Sequence, residues 1–119
     1  MTRLTDEAGA LLPLPPITLH ILLALADGDR HGYAVIQEVA ERTGGHVRLG
    51  PGTLYRSIQR MLEQGLIVES HARPAPEFDD GRRRYYRMTD LGRATVRAEV
   101  DRLARTLALA RAHGFAPAR

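Results

Sequence analysis

The sequence predicts a mainly α-helical chain with one small β-hairpin and a long C-terminal helix. Three observations carry that prediction. Three apolar segments lie in succession between residues 17 and 64, each with helical spacing. Two alternating segments then flank a turn-rich loop between residues 66 and 88. A last helical pattern runs from Thr89 through His113, which at the usual rise per residue spans roughly 37 Å.

Met1 to Pro16 is weakly patterned, and Pro13, Pro15 and Pro16 stop a helix from running through it. It is expected to be an N-terminal tail over residues 1–16, with at most a helical turn over Asp6 to Leu12. Ile17 to Ala26, "ITLHILLALA", places Leu19, Leu22, Leu23 and Ala26 at helical spacing and suits a buried helix. "DGDRHG" breaks it. Tyr33 to Thr43 is a second helix, with Tyr33, Ile36 and Ala40 on one face and Val35 and Val39 beside it. Gly44-Gly45 ends it, and His46 to Leu49 reads as a short extended connection.

Pro51 to Gln64 is the third helix. Gly50 suits the N-cap, proline is favoured at the first helical position, and Gly65 suits the position just past the end. Leu54, Ile58, Met61 and Leu62 form its buried stripe. Leu66 to Arg73 is a strand, with Leu66, Val68, Ser70 and Ala72 on one face and Glu69, His71 and Arg73 on the other. After the "PAPEFDDG" loop, Arg82 to Met88 returns, with Arg84, Tyr86 and Met88 opposite Arg83, Tyr85 and Arg87. Thr89 caps the last helix. Within it Val96, Val100, Leu103, Leu107 and Ala110 repeat as a heptad seam. A seam that runs past a small core asks for a second copy of the chain, the alternative being packing on its own domain. The expected division is 1–16 tail, 17–88 globular domain, 89–113 dimerisation helix and 114–119 tail.

With 119 residues, 44% apolar and only 5% aromatic, one modest aliphatic core is expected. Cysteine is absent, which removes disulfides and thiolate chemistry and fits a reducing compartment. No apolar run is long enough to span a membrane, and the N-terminus lacks a secretory pattern, so a cytoplasmic protein is expected. The net charge is +3, and all seventeen basic residues are arginine. A GC-rich genome explains that choice as well as binding does, but its consequence is physical: a planar fork of donors suited to phosphates and guanine edges.

Helix, helix, helix, hairpin, helix is the order of a winged helix-turn-helix, with the third helix as recognition helix and the hairpin as wing. "LGPGTLYRSIQRMLEQG", residues 49–65, suggests a phosphate-binding loop at first sight. Such a loop needs a lysine followed by Ser or Thr, and the chain contains no lysine. The same residues serve better as a helix start. Gly52 permits close approach of the backbone, and the unpaired N–H groups and helix dipole favour a phosphate. Thr53, Arg56 and Arg60 form one exposed strip, Tyr55 and Gln59 the next, and all five donate hydrogen bonds. In the major groove arginine pairs with guanine and glutamine with adenine. The hairpin, 66–88, sits where a wing reaches the flanking minor groove or the backbone, and phosphate contact is the favoured role of Arg82 and Arg83 near its tip. Arg84 shares a face with Tyr86, so packing or a salt bridge accounts for it equally well. Asp79 and Asp80 are positioned to hold these arginines in the absence of DNA.

"HGYAVIQEV" (31–39), "LGPGTLYRSIQRMLEQGLI" (49–67) and "GRRRYYRMTDLGR" (81–93) resemble the signature segments of the PadR family of bacterial transcriptional regulators. The resemblance covers Ile17 onward and is closest to the smaller subfamily, with one C-terminal helix. It implies a winged helix-turn-helix, a homodimer held by that helix, and repression of an adjacent gene from a double-stranded operator. It carries the recognition role to Pro51, Gly52, Thr53, Leu54 and Tyr55, the wing role to Arg82 through Tyr86, and support of the recognition helix or phosphate contact to Tyr33. Gly50 replaces the serine frequent in the family, which removes one hydroxyl. The chain has no tryptophan, so the family's aromatic-drug site does not transfer.

No cofactor, metal or catalytic residue is expected. His20, His31, His46, His71 and His113 have no ligand spacing and read as capping or surface residues, and Asp79 and Asp80 form no acid/base pair. The competing reading is a winged helix that binds protein only. The expected partners are operator DNA on the bacterial nucleoid, a second copy, and a small-molecule effector between the first and last helices near Leu12, Leu103 and Leu107.

Overall fold

Five helices and three short strands make up the described residues, 2–71 and 83–115 of a computed structural model. In chain order they are α1 (Thr2–Ala10), α2 (Pro16–Ala24), β1 (Arg30–His31), α3 (Gly32–Arg42), α4 (Pro51–Gln64), β2 (Ile67–Ser70), β3 (Tyr85–Met88) and α5 (Asp90–Ala112). The strands form one antiparallel sheet in the order β1-β3-β2. This is the winged-helix arrangement expected, with the long helix at its C-terminal end.

Local chemistry sets the element ends. Gly50 caps α4 in an extended conformation, and Gly65 ends it with φ of 78°, a left-handed geometry that glycine adopts without strain. The Thr89 hydroxyl closes two helices at once. It accepts from the Gly92 N–H at 3.0 Å to start α5 and donates to the Gly65 carbonyl at 2.6 Å at the end of α4. Gly92 permits this proximity, since a Cβ there would lie 2.3 Å from the Leu66 carbonyl oxygen. At the far end of α2, Arg30 and Arg42 donate to the Ala24 and Leu23 carbonyls at 2.8 and 2.9 Å. Asp27 and Glu38 hold both guanidinium groups in place.

The core brings together Ile21 and Leu22 of α2, Val35 and Val39 of α3, and Leu54, Ile58 and Met61 of α4. Leu66, Ile67, Tyr86 and Met88 close it from the sheet. Ile67 pairs with Met88 and Glu69 with Tyr86; Ile67, Tyr86 and Met88 are buried, whereas Glu69 is exposed. On the outer face Arg87 reaches Asp29 with both nitrogens at 3.2 and 3.1 Å, and the Ser70 hydroxyl donates to the same carboxylate. Those bonds, Arg87 first and Ser70 second, hold the Asp29 pKa below the usual carboxylate value.

Four expectations change. Residues 1–16 are not wholly a tail: Thr2–Ala10 is helical and sets Ala8, 1% exposed, against α5. Its buried side is narrow, so its pattern carries little signal. The "DGDRHG" break contains β1, a third strand of two residues that pairs with Tyr85 and Tyr86 and lies below the length any periodicity can register. The hairpin strands are shorter than read, β2 ending at Ser70 and β3 beginning at Tyr85. The buried face of α3 is Gly32, Val35 and Val39, whereas Tyr33 points outward at 58% exposure.

Helix α5 changes character along its length. Gly92, Thr95 and Glu99 face the body of the protein. Glu99 is almost fully buried, takes both nitrogens of Arg102 at 2.6 and 2.8 Å, and accepts from the Leu14 backbone. Arg102 above all holds its pKa low against the effect of burial. Val96 packs partly into the core. Val100, Leu103 and Leu107 are exposed, and Ala110 is half-buried.

Candidate nucleic-acid interface

Helix α4 divides as its sequence predicts. Leu54, Ile58 and Met61 are buried and Leu62 half-buried, while Gly52, Tyr55, Arg56, Gln59 and Arg60 are exposed and Thr53 partly so. Arg56 donates to the Thr53 hydroxyl at 3.4 Å, one turn back, which aligns both along the helix toward its N-terminus. Arg56, Gln59 and Arg60 line a shallow surface with Glu63 and Gln64. A groove-facing helix needs such a row of donors, and α4 carries it from its first turn to its last.

The start of α3 lies against the same helix. Gly32 allows this: a Cβ there would be 2.5 Å from the Tyr55 hydroxyl oxygen. The glycine of "HGY" is therefore the floor on which the Tyr55 ring rests. His31 caps α3 with its Nδ1, which accepts the Ala34 N–H at 3.1 Å. Its ring stands edge-on to Tyr85, with centroids 5.4 Å apart. From the wing, an Arg83 nitrogen comes within 3.1 Å of His31 Nε2. Burial first, and the Arg83 charge second, push the His31 pKa down.

These groups enclose a cleft of about 340 Å³, lined by His31, Gly32, Tyr33, Tyr55, Arg83, Arg84 and Tyr86. It joins Tyr33, Tyr55, Arg83 and Arg84, residues of three separate sequence segments. Burial is the main influence raising the Tyr86 pKa, so its phenol stays neutral at the back of the cleft. Arg84 makes a salt bridge to Glu69 at 3.3 Å, the second of the two roles open to it. Arg82, with Arg73, Asp79 and Asp80, lies outside the described residues.

His31 and Gly32 are the cleft residues that sequence reasoning passed over as candidates. The signal was present in "HGY": a side chain with an acceptor at a helix N-cap, then a residue with no Cβ. A groove between α1 and α5 is lined by Leu4, Thr5, Ala8, Ala94, Arg97, Ala98 and Asp101. Leu12, Leu103 and Leu107, expected at an effector site between the Ile17–Ala26 helix and the last helix, are a different set of residues. Among the described residues no helix is long and apolar enough to cross a membrane.

Residues 21–98 match the model of the transcriptional regulator PadR-like family. The chain belongs to that family. That family is one of transcriptional regulators. Transcriptional regulator Rv3488 of Mycobacterium tuberculosis is 38% identical over 101 residues, 82% of this chain and 87% of that one. Uncharacterized proteins of Lysinibacillus sphaericus and Streptomyces fradiae are 38% and 41% identical over 62% and 71% of this chain. The matches span 65% and 22% of their own lengths. Among solved structures, a PadR family regulator of Clostridium difficile is 25% identical with a TM-score of 0.69, covering 83% of this chain and 98% of that one. Bacillus subtilis PadR in complex with operator DNA shares the fold at 20% identity and a TM-score of 0.57, over 76% of this chain and 48% of its own.

Proposed function

We propose that this PadR-like regulator is a homodimeric repressor that reads its operator with α4 in the major groove and its wing on the flanking backbone. One observation carries the reading. Helix α4 presents the outward donors Thr53, Tyr55, Arg56, Gln59 and Arg60, and one of them, Tyr55, lines the cleft that also holds Tyr33, Arg83 and Arg84. Arg56 and Gln59 are the base readers of this scheme, through guanine and adenine edges. Gly52, at the first turn of α4, brings backbone N–H groups to a phosphate. Tyr33, Arg82, Arg83 and Arg84 are the backbone contacts. The operator-bound relative from Bacillus subtilis supports the use of this fold on DNA.

The dimer follows from α5. Val100, Leu103 and Leu107 continue the line of Val96 beyond the core and stay exposed, and Ala110 extends it, a stripe that a second copy would cover. Residues 17–88 then form the DNA-binding unit and 89–113 the dimerisation helix. In this reading the dimer on its operator blocks transcription, and the protein acts on the nucleoid in the cytoplasm. A small-molecule effector would act by changing the angle between the two α5 helices.

Footprinting on the DNA beside the gene tests this reading, together with sedimentation of the free protein. Two protected half-sites about one helical turn apart, near 34 Å, and a dimer mass are expected. A monomer that protects one site would overturn the dimer. A protein that binds no duplex even at low salt would leave the protein-only reading.

A further inference from the structure

His31 makes two contacts that one neutral imidazole cannot satisfy together. Nδ1 accepts the Ala34 N–H at 3.1 Å, which places the ring proton on Nε2. Nε2 lies 3.1 Å from an Arg83 nitrogen, which also carries protons. In this tautomer a donor faces a donor. In the other, Arg83 has an acceptor but the Ala34 N–H at the head of α3 loses its own. The mismatch borders the cleft of about 340 Å³ that Tyr33 and Tyr55 also line. An anionic oxygen seated there would accept from Nε2–H and from Arg83 at once, and both contacts of His31 would be satisfied.

We propose that His31 and Arg83 together seat one phosphodiester oxygen of the DNA backbone, and that His31 takes up a proton from solvent as the DNA binds. The proposal rests on the DNA-binding reading above. His31 acts as a positioning residue for Arg83 and as a donor to the phosphate. In the DNA-free protein a second ring proton is disfavoured. It would sit on Nδ1, displace the Ala34 cap, and put positive charge beside Arg83 and the positive end of α3. A phosphate offsets that charge, so the imidazolium is easier to form in the complex. Among the described residues the other titratable groups around the ring do not supply this effect. Arg84 carries the same sign as Arg83, and Tyr33, Tyr55 and Tyr85 are phenols. On the adjoining chain Asp29 is engaged by Arg87 and Ser70, and Arg30 by Asp27 and Glu38.

Because the complex holds more protons than the free protein, affinity rises as pH falls. The probe is a random-sequence duplex at low salt, because a phosphate contact does not depend on base sequence. The parent is expected to bind roughly threefold to tenfold more tightly at about pH 6 than at about pH 8. His31→Asn keeps a capping oxygen for α3 but does not titrate. Having lost the Nε2–H donor, it should bind more weakly than the parent at the higher pH and show no gain in affinity at the lower one. If the variant follows the parent's profile throughout, His31 only caps α3 and the proposal is wrong. Should the variant fail to fold, the His31 ring protons of the parent are followed by NMR titration with and without the duplex. A pKa that rises on binding supports the proposal, and one that stays or falls overturns it. A parent that binds no duplex removes the DNA reading itself, a separate result from a flat pH profile.

Discussion

The arginines of the scaffold and those of the α4–wing surface keep different company. Arg30, Arg42 and Arg87 each reach a carboxylate and tie one element to another or cap a helix end, and Arg102 pairs with the buried Glu99 within α5. On the other side Arg56 reaches a threonine hydroxyl. A guanidinium already paired with a carboxylate gives up a strong partner when a phosphate arrives, whereas one resting on a neutral group, as Arg56 does, gives up little. Arg84 is the intermediate case, with its exposed salt bridge to Glu69. The sequence holds seventeen arginines that look alike. Their partners separate those that build the protein from those left for its ligand.

The largest expected effect comes from removing the second kind. Arg56→Ala combined with Arg60→Ala should cost about 1–3 kcal/mol of operator affinity for each lost base contact. Both side chains are exposed and bound to no carboxylate among the described residues, so the melting temperature should barely change. Gel shifts beside thermal melts check this. A drop in stability equal to the drop in affinity would place these arginines with the scaffold.

Asp29→Ala attacks the first kind. It removes the shared acceptor of Arg87 and of Ser70, whose side chain is buried. A loss of about 1–3 kcal/mol of stability is expected, with binding at neutral pH changed mainly through the looser wing. The pH dependence has a definite sign. The Asp29 pKa is lowered in the fold from an ordinary 3.8, so its contribution is present above that value and fades as pH falls through the folded value. Denaturant unfolding between neutral pH and about pH 3 should therefore show the parent losing its advantage over the variant in acid. A constant difference across that range would assign the effect to packing.

How much of this was legible beforehand follows the same division. The α4 boundaries, its caps and its inward and outward faces were readable because one helix carries both signals within 17 residues, Leu49 to Gly65. The Thr89 cap was readable for the same reason. What escaped was whatever depends on a distant partner. Helix α1 has a face only because α5 lies against it, and β1 is a strand only because β3 pairs with it. His31 looked like one of five scattered histidines, and only folding places it 3.1 Å from a residue 52 positions later. The exposed pair of Arg84 with Glu69 likewise joins residues 15 positions apart.

A smaller effect is expected at Gly32, where the two classes of residue meet. Alanine there would place a Cβ 2.5 Å from the Tyr55 hydroxyl. The contact is with the end of a half-exposed side chain and not with backbone, so the ring can swing outward and the fold should survive. The swing moves Tyr55 off the floor of the cleft and away from Arg83. Affinity for all duplexes should fall by a few-fold, about 1 kcal/mol, with little change in the preference between operator and random DNA. A double-variant cycle with Tyr55→Ala separates the causes. If the clash with the Tyr55 ring is what costs affinity, Gly32→Ala has no further effect once the ring is gone. If Gly32→Ala weakens binding equally in the Tyr55→Ala background, the glycine matters for the backbone of α3 and not for the seat of Tyr55.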